Sequence, residues 1–178
     1  FPDKYVHLGG DEVDMRCFTS SPTVMARAKR DLQILSPRDL LQYFWDRVIE
    51  MVLNRDRIPM LWGGIFDQRI RVPNAVVLQA WKNWGNPALG LITGREAAQA
   101  GFPVVQSTHY YLDWNMRYSD YYEKDYHLDP LGTIGGEACS WSEHMDALNM
   151  DCRIWPRAAV MAERLWKGTR DIRRNEYA

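Results

Sequence analysis

Residues 75–81, AVVLQAW, are apolar apart from Gln79 and close on a tryptophan. A strand with one wet face alternates apolar and polar residues, while a strand covered on both faces runs apolar almost without a break. AVVLQAW reads as the second kind. Working outward, YVHL (5–8), PMLW (59–62), PVVQS (103–107) and TIGGEACSW (133–141) share that character, and all five read as buried strands. Helix signals lie between them. Ser36 followed by Pro37, with Asp39 three residues after the serine, caps RDLLQYFWDRVIEMVLN (38–54). Leu41, Trp45, Val48 and Val52 of that segment fall on one helical face. Thr93 and Glu96 repeat the capping pattern, and Gly101 supplies a C-terminal stop. In WPRAAVMAERLW (155–166), Pro156 sits in the first turn of a last helix.

Alternating strands and helices argue for an α/β fold of parallel βα units, and no glycine-rich phosphate loop opens a helix. The expectation is part of a (β/α)8 TIM barrel rather than an open dinucleotide-binding sheet. In a barrel, the C-terminal ends of all the strands share one mouth, where sites are built. The long aromatic segment THYYLDWNMRYSDYYEKDYHLDPLG (108–132) follows a strand and belongs at that mouth. Residues 1–178 read as a single partial barrel domain, truncated at both ends, because there is no initiator Met and a strand begins almost at once.

The totals narrow the function. With 46% hydrophobic and 25% charged residues, the chain has globular composition, not that of a disordered one. A net charge of −1 offers no basic field for nucleic acid or anionic lipid. No apolar run is long enough to span a membrane. Cys17, Cys139 and Cys152 lack metal-ligand spacing, so no metal and no cofactor is expected from them. An odd cysteine count fits reduced thiols or a disulfide to a residue elsewhere.

The chemistry gathers at VHLGGDEVD (6–14), where two glycines run into adjacent acids. Gly9 and Gly10 let the backbone bend and let a ligand approach. At the end of a strand, consecutive side chains point to opposite sides, so Asp11 and Glu12 are expected to face different ways. Two carboxylates in different environments give one acid and one charged stabiliser, which is what breaking an acetal requires. The competing reading is an N-cap acid pair or a solvated turn. Trp62, Trp81 and Trp141 each stand at or near a strand end. Singly, a tryptophan is more often core than ligand platform. Three at one mouth, beside an acid pair, make a box the size of a sugar ring.

HLGGDEV (7–13) closely resembles the His-x-Gly-Gly-Asp-Glu signature of glycoside hydrolase family 20, the β-N-acetylhexosaminidases. LWGGIFD (61–67), VVLQAW (76–81), STHYYLDW (107–114), GGEACSWSEHMD (135–146) and WPRAAVMAERLW look like further family landmarks in the family's order. The last two blocks are similar to those of animal lysosomal and secreted hexosaminidases. The resemblance covers nearly the whole chain and implies about the fourth to eighth strands of the barrel. It also implies an exo-acting hydrolase of terminal β-linked GlcNAc or GalNAc in which the substrate's acetamido oxygen is the nucleophile, an exception to the two-carboxylate scheme.

By the same resemblance Glu12 is the general acid and base, and Asp11 holds the acetamido N–H. Tyr111 hydrogen-bonds the acetamido oxygen, with its neighbour Tyr110 as the competing choice. Asp113 and Glu143 bind the O4 and O6 hydroxyls, the three tryptophans wall the site, and His7 orients the acid pair or is a core histidine. Cys17 matches a cysteine that is disulfide-paired in animal relatives, which implies a lysosomal or secreted parent protein; Cys139 reads as a free thiol. Homo- or heterodimers are an expectation on the same basis. Missing strands leave raw sheet edges, so the 178 residues alone are expected to fold poorly and to be inactive. Two rivals remain: a sugar-binding pseudoenzyme, and a retaining glycosidase with Glu143 as nucleophile.

Overall fold

The computed structural model describes residues 2–82, 94–108, 110–114, 116–123 and 132–167. The five apolar runs become five strands: β1 (Tyr5–His7), β2 (Ile58–Trp62), β3 (Val77–Ala80), β4 (Val104–Gln106) and β5 (Thr133–Gly136). They form one sheet in the order β1-β2-β3-β4-β5, every pair parallel. Sequential neighbours that all run parallel need a crossover at each step, as in a barrel.

Burial corrects one expectation. All four residues of β3 are buried, but Tyr5 of β1 is 47% exposed and Ile134 of β5 is 54% exposed. β1 and β5 are the outer strands of the described sheet, and an outer strand lacks the neighbour that would cover it. Uniform apolar character therefore marks a strand that belongs inside a sheet without showing which strands are covered here. TIGGEACSW also ends as a strand earlier than expected, at Gly136. Beyond it the pairing continues irregularly: Glu137 N–H donates to Gln106 O at 3.0 Å and Cys139 N–H to Tyr110 O at 2.8 Å.

The crossovers contain α1 (Arg16–Ser20), α2 (Pro22–Leu32), α3 (Pro37–Leu53), α4 (Gly64–Asp67), α5 (Gly94–Gln99) and α6 (Asp120–Glu123); a 3-10 turn at Ser142–His144, α7 (Met150–Ile154) and α8 (Arg157–Lys167) follow β5. The cap on α3 is as expected: Ser36 Oγ accepts the Asp39 N–H at 3.0 Å, and its hydroxyl donates to Asp39 Oδ2 at 2.6 Å. Such a cap contributes about 1 kcal/mol. The face of α3 turned to the sheet is Leu41, Trp45 and Ile49, while Val48 and Val52 are only half-buried. Val48 still packs against the core, but Ile49 is the more deeply buried of the two, because both i+3 and i+4 steps lie near one face and packing selects between them. Gly101 follows α5 with its N–H on Ala98 O at 2.9 Å, and Pro156 O accepts the Val160 N–H at 3.2 Å as α8 begins. Thr93 lies outside the described residues.

Two cores result. One packs α3 and α5 against β2–β4 through Leu41, Trp45, Leu61, Leu78 and Val104. The other joins the segment after β4 to α6 and α8 through Tyr110, Leu112, Tyr121, Val160 and Met161. Among the described residues, no helix is long and apolar enough to cross a membrane.

Candidate active site

Because the strands are parallel, the residues that follow each one gather at one end of the sheet. The first to arrive is the acid pair. β1 stops at His7, so Asp11 and Glu12 lie in a turn, not in a strand. Gly9 and Gly10 have φ of 77° and 101°, a region side chains disfavour, and a Cβ on Gly10 would meet Trp45 Cζ2 at 3.0 Å. Glu12 also has a positive φ, 50°. A non-glycine residue held there stores strain that the surrounding structure must hold in place, and such strain collects at functional sites. The expected position at a strand end is thereby corrected: Asp11 and Glu12 follow a turn, where strand alternation does not operate. Both residues line the same cavity, of about 290 Å³.

The acid pair does not act as a helix cap. The turn acid is Asp14, whose carboxylate takes Arg16 Nε at 2.8 Å and Nη2 at 2.6 Å and also accepts the Arg16 N–H. These hydrogen bonds hold the Asp14 carboxyl well below the usual carboxylate range.

Trp62 ends β2, Trp81 follows β3 and Trp141 follows β5, and all three line the cavity. Trp62 stands 6.0 Å from Trp81 at 72° and 6.1 Å from Trp141 at 43°, so the rings make walls at angles to one another rather than a stack. Tyr111, Asp113 and Glu143 complete the residues expected at the cavity. Of the two neighbouring tyrosines, only Tyr111 is among them; Tyr110 is 1% exposed and stacks on Tyr121 at 6.5 Å in the second core. Burial first, then neighbouring Cys139, pushes the Tyr111 hydroxyl well above its ordinary value, with Asp113 and Asp11 adding to the shift and Trp141 opposing it. The Tyr111 hydroxyl thus holds its proton more tightly than an ordinary tyrosine does. Two polar atoms at the cavity are buried without a hydrogen-bond partner among the described residues: Asp113 Oδ1 and Trp81 Nε1. A bound polyhydroxylated ligand would relieve both.

His7 is not on the cavity wall. Its ring meets Trp62 edge-on at 5.0 Å, its Nδ1 accepts the Gly9 N–H at 3.1 Å, and its Nε2 is 2.8 Å from Gln79 Oε1. Two neighbours of the site escaped sequence reasoning. Trp114 lines the cavity 6.1 Å from the Tyr111 ring, and Lys82 places its ammonium 4.7 Å over the Trp81 ring. Each directly follows a residue that was singled out, Asp113 and Trp81, which was the only available signal. Cys139 is a buried thiol, pushed up to about 11 by burial, and Cys17 and Cys152 are exposed and free. Among the described residues, no His, Cys, Asp and Glu side chains group as a metal site would need.

A family model, "Glycosyl hydrolase family 20, catalytic domain", matches residues 1–169. Beta-hexosaminidase subunit beta of Felis catus is 35% identical over 176 residues, covering 93% of this chain and 32% of the relative. The alpha subunit of Mus musculus is 34% identical over 176 residues, covering 93% and 33%. The chain therefore spans about a third of the length of the curated relatives it matches. Among solved structures, a chitobiase of Flavobacterium johnsoniae is 26% identical with a TM-score of 0.72, covering 93% of this chain and 26% of that one. A beta-N-acetylhexosaminidase of Bacteroides fragilis is 25% identical with a TM-score of 0.70, covering 93% and 36%. With these neighbours, the five parallel strands are part of a TIM barrel.

Proposed function

The chain belongs to glycosyl hydrolase family 20, and from that premise we propose that it is the catalytic part of an exo-acting β-N-acetylhexosaminidase. The observation that carries the proposal is that Asp11, Glu12 and Tyr111 share one cavity with three indoles. The substrate is a glycan ending in β-linked GlcNAc or GalNAc, and the reaction retains configuration. The acetamido carbonyl oxygen attacks the anomeric carbon as the glycosidic C–O bond breaks. Glu12 gives its proton to the departing oxygen and becomes a carboxylate. In the oxazolinium so formed, positive charge spreads over the acetamido nitrogen, where Asp11 accepts the N–H. Water then attacks the anomeric carbon, the oxazolinium ring opens, and Glu12 recovers its proton from that water. Two inversions give net retention, with the substrate in place of the usual carboxylate nucleophile.

The other roles follow from the chemistry of each group. Tyr111, a neutral donor, aims the acetamido oxygen. Asp113, with an unpartnered Oδ1, and Glu143 accept from the sugar's O4 and O6 hydroxyls, which selects a terminal residue. The angled indoles exclude water and cover the apolar faces of the ring. The proposal extends to one partial catalytic domain across residues 1–178 and to a lysosomal or secreted parent, in line with the animal hexosaminidases the chain resembles. Their printed names, subunit alpha and subunit beta, support a dimeric parent.

The test is made on the intact gene product, by comparing an aryl N-acetyl-β-glucosaminide with the matching aryl β-glucoside. Hydrolysis of the first alone, lost in Asp11→Asn, is the expected result. Equal turnover of both would put a carboxylate nucleophile in place of the acetamido group and overturn the mechanism. Sugar binding without turnover of either would make the protein a lectin-like relic.

A further inference from the structure

Four polar side chains run across the strand ends beside the cavity. His7 ends β1, Gln79 lies in β3, Ser107 follows β4, and Glu137 follows β5. Gln79 and Ser107 are 0% exposed, so their polar atoms must be satisfied within the protein. Gln79 Nε2 donates to Ser107 Oγ at 2.6 Å and to Glu137 Oε1 at 2.9 Å, and Gln79 Oε1 is 2.8 Å from His7 Nε2. At the far end, Gly9 N–H donates to His7 Nδ1 at 3.1 Å.

The direction of every bond in this series is set by its two ends. An ionised carboxylate only accepts, and a backbone N–H only donates. Glu137 therefore requires the amide nitrogen of Gln79 to face it, which turns the amide oxygen toward His7. That oxygen requires a proton on His7 Nε2. A neutral ring protonated there leaves the Nδ1 lone pair free to take the Gly9 N–H. The other side of Gly9 is held as well, since its carbonyl accepts the Trp62 N–H at 2.9 Å. Gly9 thus starts the strained turn clamped at both its N–H and its C=O. Glu12, at positive φ, rides three residues further on.

We propose that Gln79, backed by Glu137, is a positioning residue: it selects the His7 tautomer that clamps the Gly9–Glu12 turn and so aims the Glu12 carboxyl at the leaving oxygen. The inference rests on the reading of Glu12 as general acid. Gln79 is 0% exposed and is not among the residues lining the cavity. Its influence is on the part of the reaction that needs an accurately placed proton, where a displacement of 1 Å can lower the rate by about 10²-fold.

The test is a polarity swap in the intact gene product. Gln79→Glu sets two carboxylates against each other and should lower turnover of a poorly activated β-N-acetylglucosaminide by about 10²-fold. An aryl substrate with a good leaving group needs little protonation and should lose far less. Adding Glu137→Gln returns an accepting oxygen at position 79 and a donor at 137, and should recover most of the loss. A double variant no better than Gln79→Glu would overturn the proposal, as would equal losses on both substrates. Histidine 15N spectra of the unaltered protein supply a readout apart from activity. The expected signature is His7 protonated on Nε2 and bare on Nδ1; the opposite tautomer would also overturn it. Glu12→Gln is assayed alongside. If that variant shows no dependence on the leaving group, the general-acid reading is what fails, while the spectra still judge the clamp.

Discussion

The turn at 9–12 and the segment at 110–114 both deliver carboxylates to one cavity, yet they are held in opposite ways. The turn has left-handed backbone at Gly9, Gly10 and Glu12 and is fastened by hydrogen bonds to the Gly9 N–H and C=O. The later segment forms an isolated bridge to Cys139 at Tyr111 and then turns at Leu112 and Asp113. Tyr110 and Leu112 go into the second core, Tyr111 and Asp113 to the cavity. Its backbone is tied to the chain after β5 by Leu112 N–H on Cys139 O at 2.7 Å, and Arg157 of α8 donates to Trp114 O. One wall is set by local conformation, the other by distant packing.

The sharpest way to break this comparison is Glu12→Gln. Loss of the general acid should reduce turnover of poorly activated substrates by about 10²–10⁴-fold while leaving the melting temperature nearly unchanged. Equal losses on activated and unactivated leaving groups would remove Glu12 from that role. On the packed wall, Leu112→Ala removes a side chain that is only 4% exposed. Such truncations destabilise by about 2–5 kcal/mol, read from chemical denaturation of the intact protein. Turnover at low temperature should survive, because the turn is held independently.

Gly10→Ala attacks the other wall and should show the reverse balance. The new methyl must push Trp45 away and hold φ at 101°, a strain of about 1–3 kcal/mol. Turnover should fall by more than the stability change suggests, since relief of the strain moves the acid pair. A variant with full activity would mean the turn tolerates displacement. The smallest effect is expected from pH. The buried Cys139 thiol is pushed up to about 11, above its ordinary value. The folded state then keeps a proton that the unfolded chain gives up sooner. Stability from this site is complete below the ordinary thiol range near pH 8.5 and is lost as pH rises through about 11. Melting temperature measured across that window should decline, and Cys139→Ala should flatten the decline.

Much of this architecture was legible because it depends on short-range chemistry. Apolar runs marked the five strands, Ser36 and Asp39 marked the start of α3, and the two glycines marked a turn that no side chain would favour. What was hidden depends on neighbours far along the chain. The exposure of Tyr5 and Ile134 depends on which strands lie beside them. Ile49 is buried more deeply than Val48 because of how α3 meets β2. Trp114 belongs to the cavity because α8, more than forty residues later, holds its carbonyl through Arg157 (a separation of 43 positions).

The sequence by itself determined that the chain is an α/β succession of parallel units with an acid pair and three strand-end tryptophans, since periodicity and motif order are properties of the chain alone. Only the tertiary structure decided that Asp11 and Glu12 line the same cavity, that Tyr111 and not Tyr110 joins them, and that His7 serves the turn behind them. Those outcomes turn on backbone angles and on hydrogen bonds between strands more than 70 residues apart (His7 to Gln79 spans 72). Such contacts have direction, and direction exists only once the sheet has brought their ends together.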